Sequence, residues 1–503
     1  MNFNLSKSDH EQLRSRGYEA GEFVSMVKGF VESTQHWRLD RPCTAGDGIM
    51  VLNAAEANRL VNLYQREGAS YSKVKFVPAS GAASRMFKHL KSFGVVDVGD
   101  STEEFILNFS RFPFFGELKR KLAERNTDLD VLIERDQWHE IFSFILSNDG
   151  LNYDNQLKGM VIFHQNGEVT RTAFDEHIHE AMAYAKQSDG RCRIHFTLAP
   201  QNTRWVEEYF HTKLKSLPYE HIEITYSEQG FDTDTPSLTK ANDLYRNTAG
   251  EILFRPGGHG SLISNLAKLD ADIIFIKNID NVCGQHLFPE TVFYKQVLAG
   301  LLIELRKQIE YYLEVLELGR MVDIESALEF IQVWFQPGIP YGVGEKELLQ
   351  FARQRLDRPL RVCGMVRNEG EPGGGPFWVR MPGGYLTKQI AEKSQLDLDD
   401  VQQSRVFANA THFNPVDIVC SIRDRQGKNY DLNQFIDRSS GFVSEKFHDG
   451  HVIKALEHPG LWNGSMAYWN TVFVEVPVST FNPVKTVNDL LRAGHQEAPP
   501  SLV

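Results

Sequence analysis

The chain has 503 residues, of which 42% are hydrophobic and 24% are charged, and its formal net charge is −12. This length is too great for one small core, and the composition is typical of a globular rather than a disordered chain. The acidic balance argues against general nucleic-acid binding, because affinity for the phosphate backbone comes largely from Lys and Arg.

The sequence shows no sign of a membrane or secreted context. Its five cysteines have no C-x-x-C spacing, which predicts neither a zinc site nor a disulfide framework and favours a reducing compartment. The first ten residues are polar, and no window approaches the roughly 18 apolar residues of a membrane span. We therefore expect a cytoplasmic protein without a membrane or nucleic-acid partner; the sequence does not indicate its oligomeric state.

The N-terminal part of the sequence has a helical pattern. Apolar residues recur there at three- and four-residue spacing, the period of a helix with one buried face. This spacing predicts a helical region over residues 1–68, with helices at 9–17, 21–34 and 53–67.

From residue 69 onwards, β-type runs alternate with helical patterns. The predicted strands are 74–77, 160–163, 193–198, 222–226, 273–277 and 472–478, with further strand character over 360–381. Strands separated by helices predict an α/β domain over 69–483, with a mostly parallel twisted sheet flanked by helices in a Rossmann-like arrangement. Within it, about 95–157 are predicted to be a helical insertion and about 292–358 a helical segment, and 484–503 a C-terminal helix and tail.

The most informative motif comes directly after the first strand of this domain. Residues 77–86 read Val-Pro-Ala-Ser-Gly-Ala-Ala-Ser-Arg-Met. Small side chains at a strand-to-helix turn let backbone N–H groups approach a phosphate, and Arg85 would bring a permanent charge to the same oxygens. Taken alone, the motif is equally typical of an ordinary strand–turn–helix connection.

Four further segments place polar residues beside predicted strands or turns. Lys158 precedes a strand, and residues 254–260 place His259 between glycines that permit close backbone approach. Asp280 comes after an apolar strand, at the sheet edge where ligands bind in parallel α/β folds. Lys485 comes after a Pro-Val pair near the C-terminus. Each has an ordinary alternative: a solvated lysine, a Pro-Gly turn or a capping aspartate.

In this order, the five segments resemble the motifs of the UDP-sugar pyrophosphorylases. The first loop is similar to their A-G-x-G-[ST]-R-[ML] motif, residues 254–260 to their P-x-G-H-G loop, and residues 481–491 to their F-x-P-V-K-x-x-x-D-L-L stretch. Two positions differ: Ala83 stands where the family usually has a second glycine, and Leu157 where it usually has proline. The chain looks closest to a bacterial family related to these enzymes, within the nucleotide-diphospho-sugar transferase superfamily.

The resemblance implies a nucleotidyltransferase that transfers a nucleoside monophosphate from a nucleoside triphosphate, with UTP as the inherited preference, to a sugar 1-phosphate. It implies Mg²⁺ bound by Asp280, and Arg85, Lys158 and Lys485 as the catalytic cations around the phosphates. The nucleotide-binding residues that it implies are Ala79, Ser80, Gly81, Ala82, Ala83, Ser84, Gly258, His259 and Gly260.

Two alternatives to this function are open. Asp232-Thr233-Asp234 is a D-x-D, the spacing by which glycosyltransferases of similar architecture hold a metal on a nucleotide-sugar diphosphate. The departures at Ala83 and Leu157 are also compatible with a protein that binds a nucleotide without catalysis.

Overall fold

A computed structural model shows an α/β protein built around one large sheet. It describes residues 3–32, 36–93, 99–215, 217, 219, 221–336, 338–370 and 373–497. The helices are α1 Lys7–Ser15, α2 Ala20–Glu32, α3 Ala54–Glu67, α4 Lys88–Lys91, α5 Asp100–Leu107, α6 Phe115–Ala123, α7 Leu129–Glu134, α8 Trp138–Leu146, α9 Ala173–Tyr184, α10 Thr203–Lys213, α11 Ile263–Ala267, α12 Phe288–Val315, α13 Met321–Trp334, α14 Glu345–Leu356 and α15 Val401–Ala408. The strands are β1 Arg38–Pro42, β2 Thr44–Ala45, β3 Gly48–Met50, β4 Lys73–Pro78, β5 Ile162–Asn166, β6 Val169–Thr172, β7 Cys192–Leu198, β8 Ile222–Glu228, β9 Asp234–Leu238, β10 Phe254–Pro256, β11 Ile273–Ile276, β12 Leu360–Arg367, β13 Gly375–Arg380, β14 Leu386–Ala391, β15 His412–Ser421, β16 Phe442–His448, β17 His451–Glu457 and β18 Asn470–Glu475.

Nine strands form the main sheet, in the order β2-β3-β18-β12-β15-β11-β4-β7-β8. Neighbouring strands are parallel except at β15, which runs antiparallel to both β12 and β11. The predicted mostly parallel sheet flanked by helices is confirmed. Because β4, β7, β8 and β11 are parallel, their carboxyl ends lie along one edge of the sheet, where such folds bind ligands.

Alternate side chains of the central strands enter two different cores. In β11, Ile273 and Phe275 join one core, whereas Ile274 and Ile276 join the other. This is the two-residue period of a strand, and burial of both faces explains why the strand reads as a continuous apolar run. Helix α12 packs on α3, α9 and β12 and covers the first of these faces.

Local side chains fix where two of the covering helices begin. The Asn53 side chain accepts the N–H of Glu56, and the Glu56 carboxylate accepts the N–H of Asn53, at the start of α3. Thr172 and Asp175 make the same reciprocal pair at the start of α9. Such capping boxes satisfy backbone donors that the first helical turn leaves without partners.

The N-terminal region differs from the predicted helical region over 1–68. Helices α1, α2 and α3 form, but strands β1, β2 and β3 lie between 38 and 50. Strand β3 extends the main sheet, with Ile49 opposite Phe473, and β1 pairs with β13. Strands this short give little signal in the sequence, and the partners of β1 and β3, namely β13 and β18, lie hundreds of residues later in the chain.

Two other elements also depart from the sequence pattern. The strand predicted at 160–163 is β5, Ile162–Asn166, which pairs with β6 in a separate hairpin rather than joining the main sheet. The C-terminal helix predicted within 484–503 is a short 3₁₀ helix, Val487–Leu491, and residues 498–503 lie outside the described residues.

Helices α5 to α8 form the insertion predicted over about 95–157, apart from residues 95–98, which lie outside the described part. Its aromatic core includes Phe105 and Phe112, whose ring centroids are 4.4 Å apart. Tyr153, near its end, stacks on Phe87, near its start, at 5.1 Å. The start and the end of the insertion are therefore close together in the structure. Within the described residues, no helix is both long and apolar enough to cross a membrane.

The contact between α12 and α3 gives a test of this packing. A Cβ on Gly300 would lie only 2.1 Å from the Leu60 carbonyl oxygen, so the two helices approach as closely as a glycine allows. We expect Gly300→Ala to lower the free energy of unfolding by about 1–3 kcal/mol, the usual cost of overpacking. Gly116→Ala, in α6, is the control because nothing lies within 4 Å of its Cβ position. Thermal midpoints would measure both, and equal midpoints for the two variants would contradict the close approach.

Candidate active site

The loop after β4 exposes a run of backbone donors. The N–H groups of Ala79 and Ala83, at its two ends, are hydrogen-bonded to backbone carbonyl oxygens. Between them, Ser80, Gly81 and Ala82 are all exposed. The N–H groups of these three residues have no acceptor among the described residues. The loop therefore presents free donors of the kind that bind anions.

The segment after this loop is less helical than the motif predicted. Residues Ala83–Arg85 form one 3₁₀ turn, and the next helix, α4, is only 4 residues long. The exposed backbone N–H groups, rather than a long helix dipole, would therefore supply most of the positive potential. Arg85 is exposed, and within the described ranges its guanidinium forms no ion pair.

Lys158 joins three segments that are far apart in sequence. Its Nζ lies 2.9 Å from the Asp280 carboxylate and 3.0 Å from the Val484 carbonyl oxygen. The backbone repeats the connection: the Lys158 N–H donates to the Gly81 carbonyl oxygen at 2.9 Å, and the Val484 N–H to the Asp280 carbonyl oxygen at 3.1 Å. Both charged side chains stay partly open to solvent, with 14% exposure for Lys158 and 21% for Asp280.

The C-terminal segment closes the arrangement. Lys485 directly follows Val484 and is exposed, while its N–H donates to the Asp489 carboxylate at 2.8 Å. Two residues later, the Val487 N–H donates to the Met86 carbonyl oxygen at 3.2 Å. The structure thus brings together the segments that contain Arg85, Lys158, Asp280 and Lys485, at the carboxyl ends of β4 and β11. The roles assigned to these residues stay predictions.

The segment around His259 packs against another part of the chain. The imidazole stacks on Trp462 with ring centroids 4.4 Å apart, and its Nδ1 accepts the Leu461 N–H at 3.1 Å. A Cβ on Gly260 would lie 2.1 Å from the Pro459 carbonyl oxygen. Packing within the protein therefore already accounts for the imidazole and for this glycine.

Gly258 adopts a φ of +79°, which favours glycine because side chains rarely tolerate the left-handed region. A cavity of about 610 Å³ borders Gly260, and α2 forms part of its wall. The hydrogen bonds of Gly257 and His259 lead to residues 458 and 461 rather than to the Lys158–Asp280 pair. Nucleotide-base binding by Gly258, His259 and Gly260 stays a prediction.

The D-x-D alternative has less structural support. One Asp234 carboxylate oxygen is paired with Arg16, the residue directly after α1, at 2.8 Å. Asp234 begins β9, which belongs to a separate four-stranded sheet with β10, β16 and β17 rather than to the main sheet. The side chain of Asp232 lies outside the described part of the structure.

Asp280 suits a cation that is held mainly by substrate. In the described part of the chain, no three His, Cys, Asp or Glu side chains are grouped as a metal site. Mg²⁺ usually takes one or two carboxylates together with waters and substrate phosphates, so a single, partly exposed carboxylate is sufficient. The donor set therefore fits Mg²⁺ bound with a nucleotide, and not a preformed cage.

The family is established by a sequence model. A model of a domain of unknown function, DUF4301, matches residues 6–496. The chain belongs to the DUF4301 family. Comparison with curated proteins gives no match.

Solved structures show which fold this family has. A uridine diphosphate N-acetylglucosamine pyrophosphorylase from Trypanosoma brucei matches with a TM-score of 0.52 and 13% identity, over 97% of this chain and 79% of that one. The UDP-glucose pyrophosphorylase from Leishmania major matches with a TM-score of 0.44 and 12% identity, over the same 97% and 79%. The first match confirms the predicted resemblance in fold; the second, with its lower score, adds nothing to it.

A buried charge network, which the sequence patterns did not reveal, supports the Asp280 loop. The Glu180 carboxylate of α9 accepts from Lys75 Nζ at 2.8 Å and from Lys277 Nζ at 2.7 Å, and all three side chains are at most 2% exposed. Lys75 and Lys277 lie on β4 and at the end of β11, three residues before Asp280. A lysine inside an apolar strand was the available signal, because a buried charge requires a partner.

Burial and neighbouring charge set the protonation of this network. Burial alone would raise the pKa of Glu180, but the charges of Lys277 and Lys75 outweigh it and hold that pKa well below its ordinary value. Burial lowers the pKa of Lys75 to about 8, and the Glu180 carboxylate limits the shift. Glu180 is therefore ionised at neutral pH and is the carboxylate on which both lysines depend.

His177 fixes the same loop directly. Its Nε2 donates to the Ile279 carbonyl oxygen at 3.1 Å, one residue before Asp280. Burial, and after it the charge of Lys75, lowers the pKa of His177 well below its ordinary value. The imidazole is therefore neutral, and we assign it a role in positioning the Asp280 loop.

Removing the Glu180 charge tests the network. We expect Glu180→Gln to lower the free energy of unfolding by about 3–5 kcal/mol, because it leaves two buried ammonium groups without a counter-ion. Since the pKa of Glu180 is depressed, this contribution is fully present above about pH 4.5, the ordinary value, and is lost on acidification. Urea titrations at pH 7 and pH 4 would measure it.

The matched control is Glu208→Gln, which breaks an exposed pair with Arg204 in α10. Such surface pairs contribute about 0–1 kcal/mol. If the two glutamine variants are equally stable at pH 7, the buried network does not stabilise the fold in the way inferred.

Proposed function

We propose that this chain is a metal-dependent nucleotidyltransferase that transfers a nucleoside monophosphate, uridylate in the first instance, from the triphosphate to a sugar 1-phosphate. The observation that carries this proposal is the meeting of Lys158, Asp280 and the 483–487 segment beside the anion-binding loop after β4. The fold shared with a UDP-sugar pyrophosphorylase supports it.

Charge is what such a reaction requires from the protein. A phosphate oxygen of the sugar 1-phosphate attacks the α-phosphorus, the bond from the α-phosphorus to the bridging oxygen breaks, and pyrophosphate leaves. Positioning and charge neutralisation supply most of the rate, since little covalent chemistry falls to the protein. When bound, Mg²⁺ would stabilise negative charge on the α-phosphate.

The residues around the cleft suit these tasks. The free N–H groups of residues 80–82 and the unpaired Arg85 would bind the triphosphate. Asp280 would hold the metal ion, and Lys158, already beside it, would turn from the carboxylate to a phosphate oxygen. Lys485 would reach the attacking phosphate from the C-terminal segment as a point charge on a flexible stem.

The experiment that tests the proposal is product analysis with the full chain. Each nucleoside triphosphate would be mixed with a panel of hexose 1-phosphates, and pyrophosphate and nucleotide-sugar measured with Mg²⁺ and with EDTA. We expect equimolar pyrophosphate and nucleotide-sugar that disappear with EDTA. Transfer of sugar from a nucleotide-sugar would instead favour the glycosyltransferase, and binding without turnover the non-catalytic alternative.

Asp280→Asn tests the metal ligand. The amide oxygen can still accept from Lys158, so the fold should persist, whereas the charge that holds the cation is lost. Losing a metal's charge stabilisation costs several kcal/mol in the transition state, so we expect turnover to fall by about 100-fold or more. Asp234→Asn is the control and should retain activity. The reverse result, with Asp234→Asn inactive and Asp280→Asn active, would favour the D-x-D reaction.

Lys485→Met tests the C-terminal lysine while retaining much of its apolar stem. If the charge acts in the transition state, kcat and kcat/KM should fall together; a charge that only holds substrate would raise KM alone. Lys393→Met, an exposed lysine elsewhere, is the control and should change neither constant. Unaltered kinetics in Lys485→Met would show that this lysine takes no part in the reaction.

A further inference from the structure

A cavity of about 680 Å³ lies at the opposite edge of the main sheet from the candidate active site. Its walls include the C-terminal ends of α12 and α14 and the turn after β15. Helix α14 leads into the start of β12, and β15 is antiparallel to β12 and β11. The cavity is therefore at the amino ends of the parallel strands, whereas Asp280 lies beyond the carboxyl end of β11.

Three arginines line this cavity in a protein whose net charge is −12. Arg425 is ion-paired with Glu317, so its charge is already balanced. Asp357, the other acidic residue of the lining, accepts a hydrogen bond from the Tyr430 hydroxyl at 2.7 Å. Of the two carboxylates, Glu317 is therefore paired with a cation of the lining, whereas Asp357 is hydrogen-bonded to a neutral hydroxyl.

The other two arginines have only main-chain partners. Arg353 donates to the Leu316 carbonyl oxygen at 2.8 Å. Arg358 donates to the carbonyl oxygens of Gln354 and Tyr468, at 2.7 and 3.2 Å. No carboxylate of the described residues pairs with either guanidinium, and each keeps N–H groups that these carbonyls do not use. The lining therefore carries three arginines against two carboxylates, and Arg353 and Arg358 face it without an ion-pair partner among the described residues.

Two buried cations behind the wall add to this imbalance. Arg355 lies over the ring of Phe335 at 5.8 Å, and its Nε has no hydrogen-bond partner in the described structure. Lys388 donates to the Trp334 carbonyl oxygen at 2.8 Å. Neither has a carboxylate partner within the described residues.

Burial is the main cause that lowers the pKa values of these cations. Burial, and then the charge of Arg358, lowers the pKa of Arg355 to about 9. Burial also lowers the pKa of Arg358, and it lowers that of Lys388 to about 8. An anion in the cavity would stabilise all three charged forms.

Aromatic rings complete the lining. Tyr385, Phe435 and Tyr468 line the cavity together with Leu313. A volume of this size is within the range of about 300–1,000 Å³ that small-molecule sites occupy. The planar guanidinium groups of arginine match the oxygens of a phosphate, and aromatic side chains pack against rings. Together, the arginines and the aromatic residues of the lining favour an anionic ligand that contains a ring.

We propose that this cavity is a second binding site, which takes a phosphorylated small molecule with its phosphate on Arg353 and Arg358 and its ring against Tyr385 and Tyr468. Nucleotides and sugar phosphates share this chemistry. The site is separate from the candidate active site, and the proposal does not depend on the transfer reaction.

Binding of defined probes to the full chain tests the proposal. The probes are UMP, UTP, glucose 1-phosphate and inorganic phosphate, titrated by calorimetry in EDTA, with hydrogen–deuterium exchange to locate each site. We expect at least one organic phosphate to slow exchange over residues 353–358 and 425–435. In Arg358→Gln and Arg353→Gln, its affinity at this site should fall by about tenfold, the effect of one charge-assisted hydrogen bond.

Controls separate this site from the first one and from misfolding. Arg204→Gln removes an equal charge from an exposed arginine of α10 and should leave binding unchanged. Arg358→Lys keeps the charge without the planar fork, and should bind more weakly than wild type while retaining the wild-type thermal midpoint. Lys158→Met alters the first site and should leave protection of residues 353–358 intact.

Three outcomes would overturn the proposal. Absence of protection at residues 353–358 by every organic phosphate would show that the cavity is not such a site. If inorganic phosphate protected these residues as strongly as the organic phosphates do, the ring would not be recognised. Affinities in Arg353→Gln and Arg358→Gln that match the Arg204→Gln control would show that the arginines do not hold the phosphate.

Discussion

The ion pair between Lys158 and Asp280 is the interaction on which the rest of the candidate active site depends. The Lys158 ammonium group links the end of β11 to the C-terminal segment, because it also reaches the Val484 carbonyl oxygen. The Lys158 N–H donates to the Gly81 carbonyl oxygen and so joins this pair to the loop after β4. The Lys158 side chain is 14% exposed and the Asp280 side chain 21% exposed. The pair is therefore buried enough to keep a defined geometry and open enough to exchange partners with a ligand. A phosphate or a cation that enters the cleft can therefore interact with charged groups that are well positioned but still able to separate from each other.

A fully buried charge network supports the loop that carries Asp280. Lys75 and Lys277 share the Glu180 carboxylate in full burial, and neutral His177 holds the carbonyl of Ile279. A buried charge network contributes less to net stability than its Coulomb energy suggests, but breaking it is costly. We interpret it as a means of fixing one geometry for the end of β11. Rigid support under a partly exposed carboxylate is what preorganised electrostatics requires.

The two proposed sites lie at opposite edges of the main sheet. The residues proposed to bind phosphate in the candidate active site lie at the carboxyl ends of β4 and β11, where the parallel arrangement aligns several strand ends. The antiparallel strand β15 changes the other edge: it delivers Arg425 to the amino ends of its neighbours, beside Arg353 and Arg358 from the end of α14. The antiparallel strand β15 thus contributes to the cavity at the amino ends, whereas the candidate active site lies at the carboxyl ends of the parallel strands.

Local patterns in the chain were enough to predict the class of the fold and the segments of the site. Apolar strands that alternate with helices predicted the sheet, because the periods of strands and helices are visible in short segments. The motifs at residues 77–86 and at Asp280 predicted which loops would meet, because each motif is also a local pattern. The folded chain was needed to show that β1 to β3 are strands, that Lys158 pairs with Asp280, and that His259 is stacked on Trp462. The pairings of β1 with β13, of β3 with β18, of Lys158 with Asp280 and of His259 with Trp462 each join residues more than 100 positions apart. A local pattern carries no information about which distant group pairs with a charge, a ring or a strand edge.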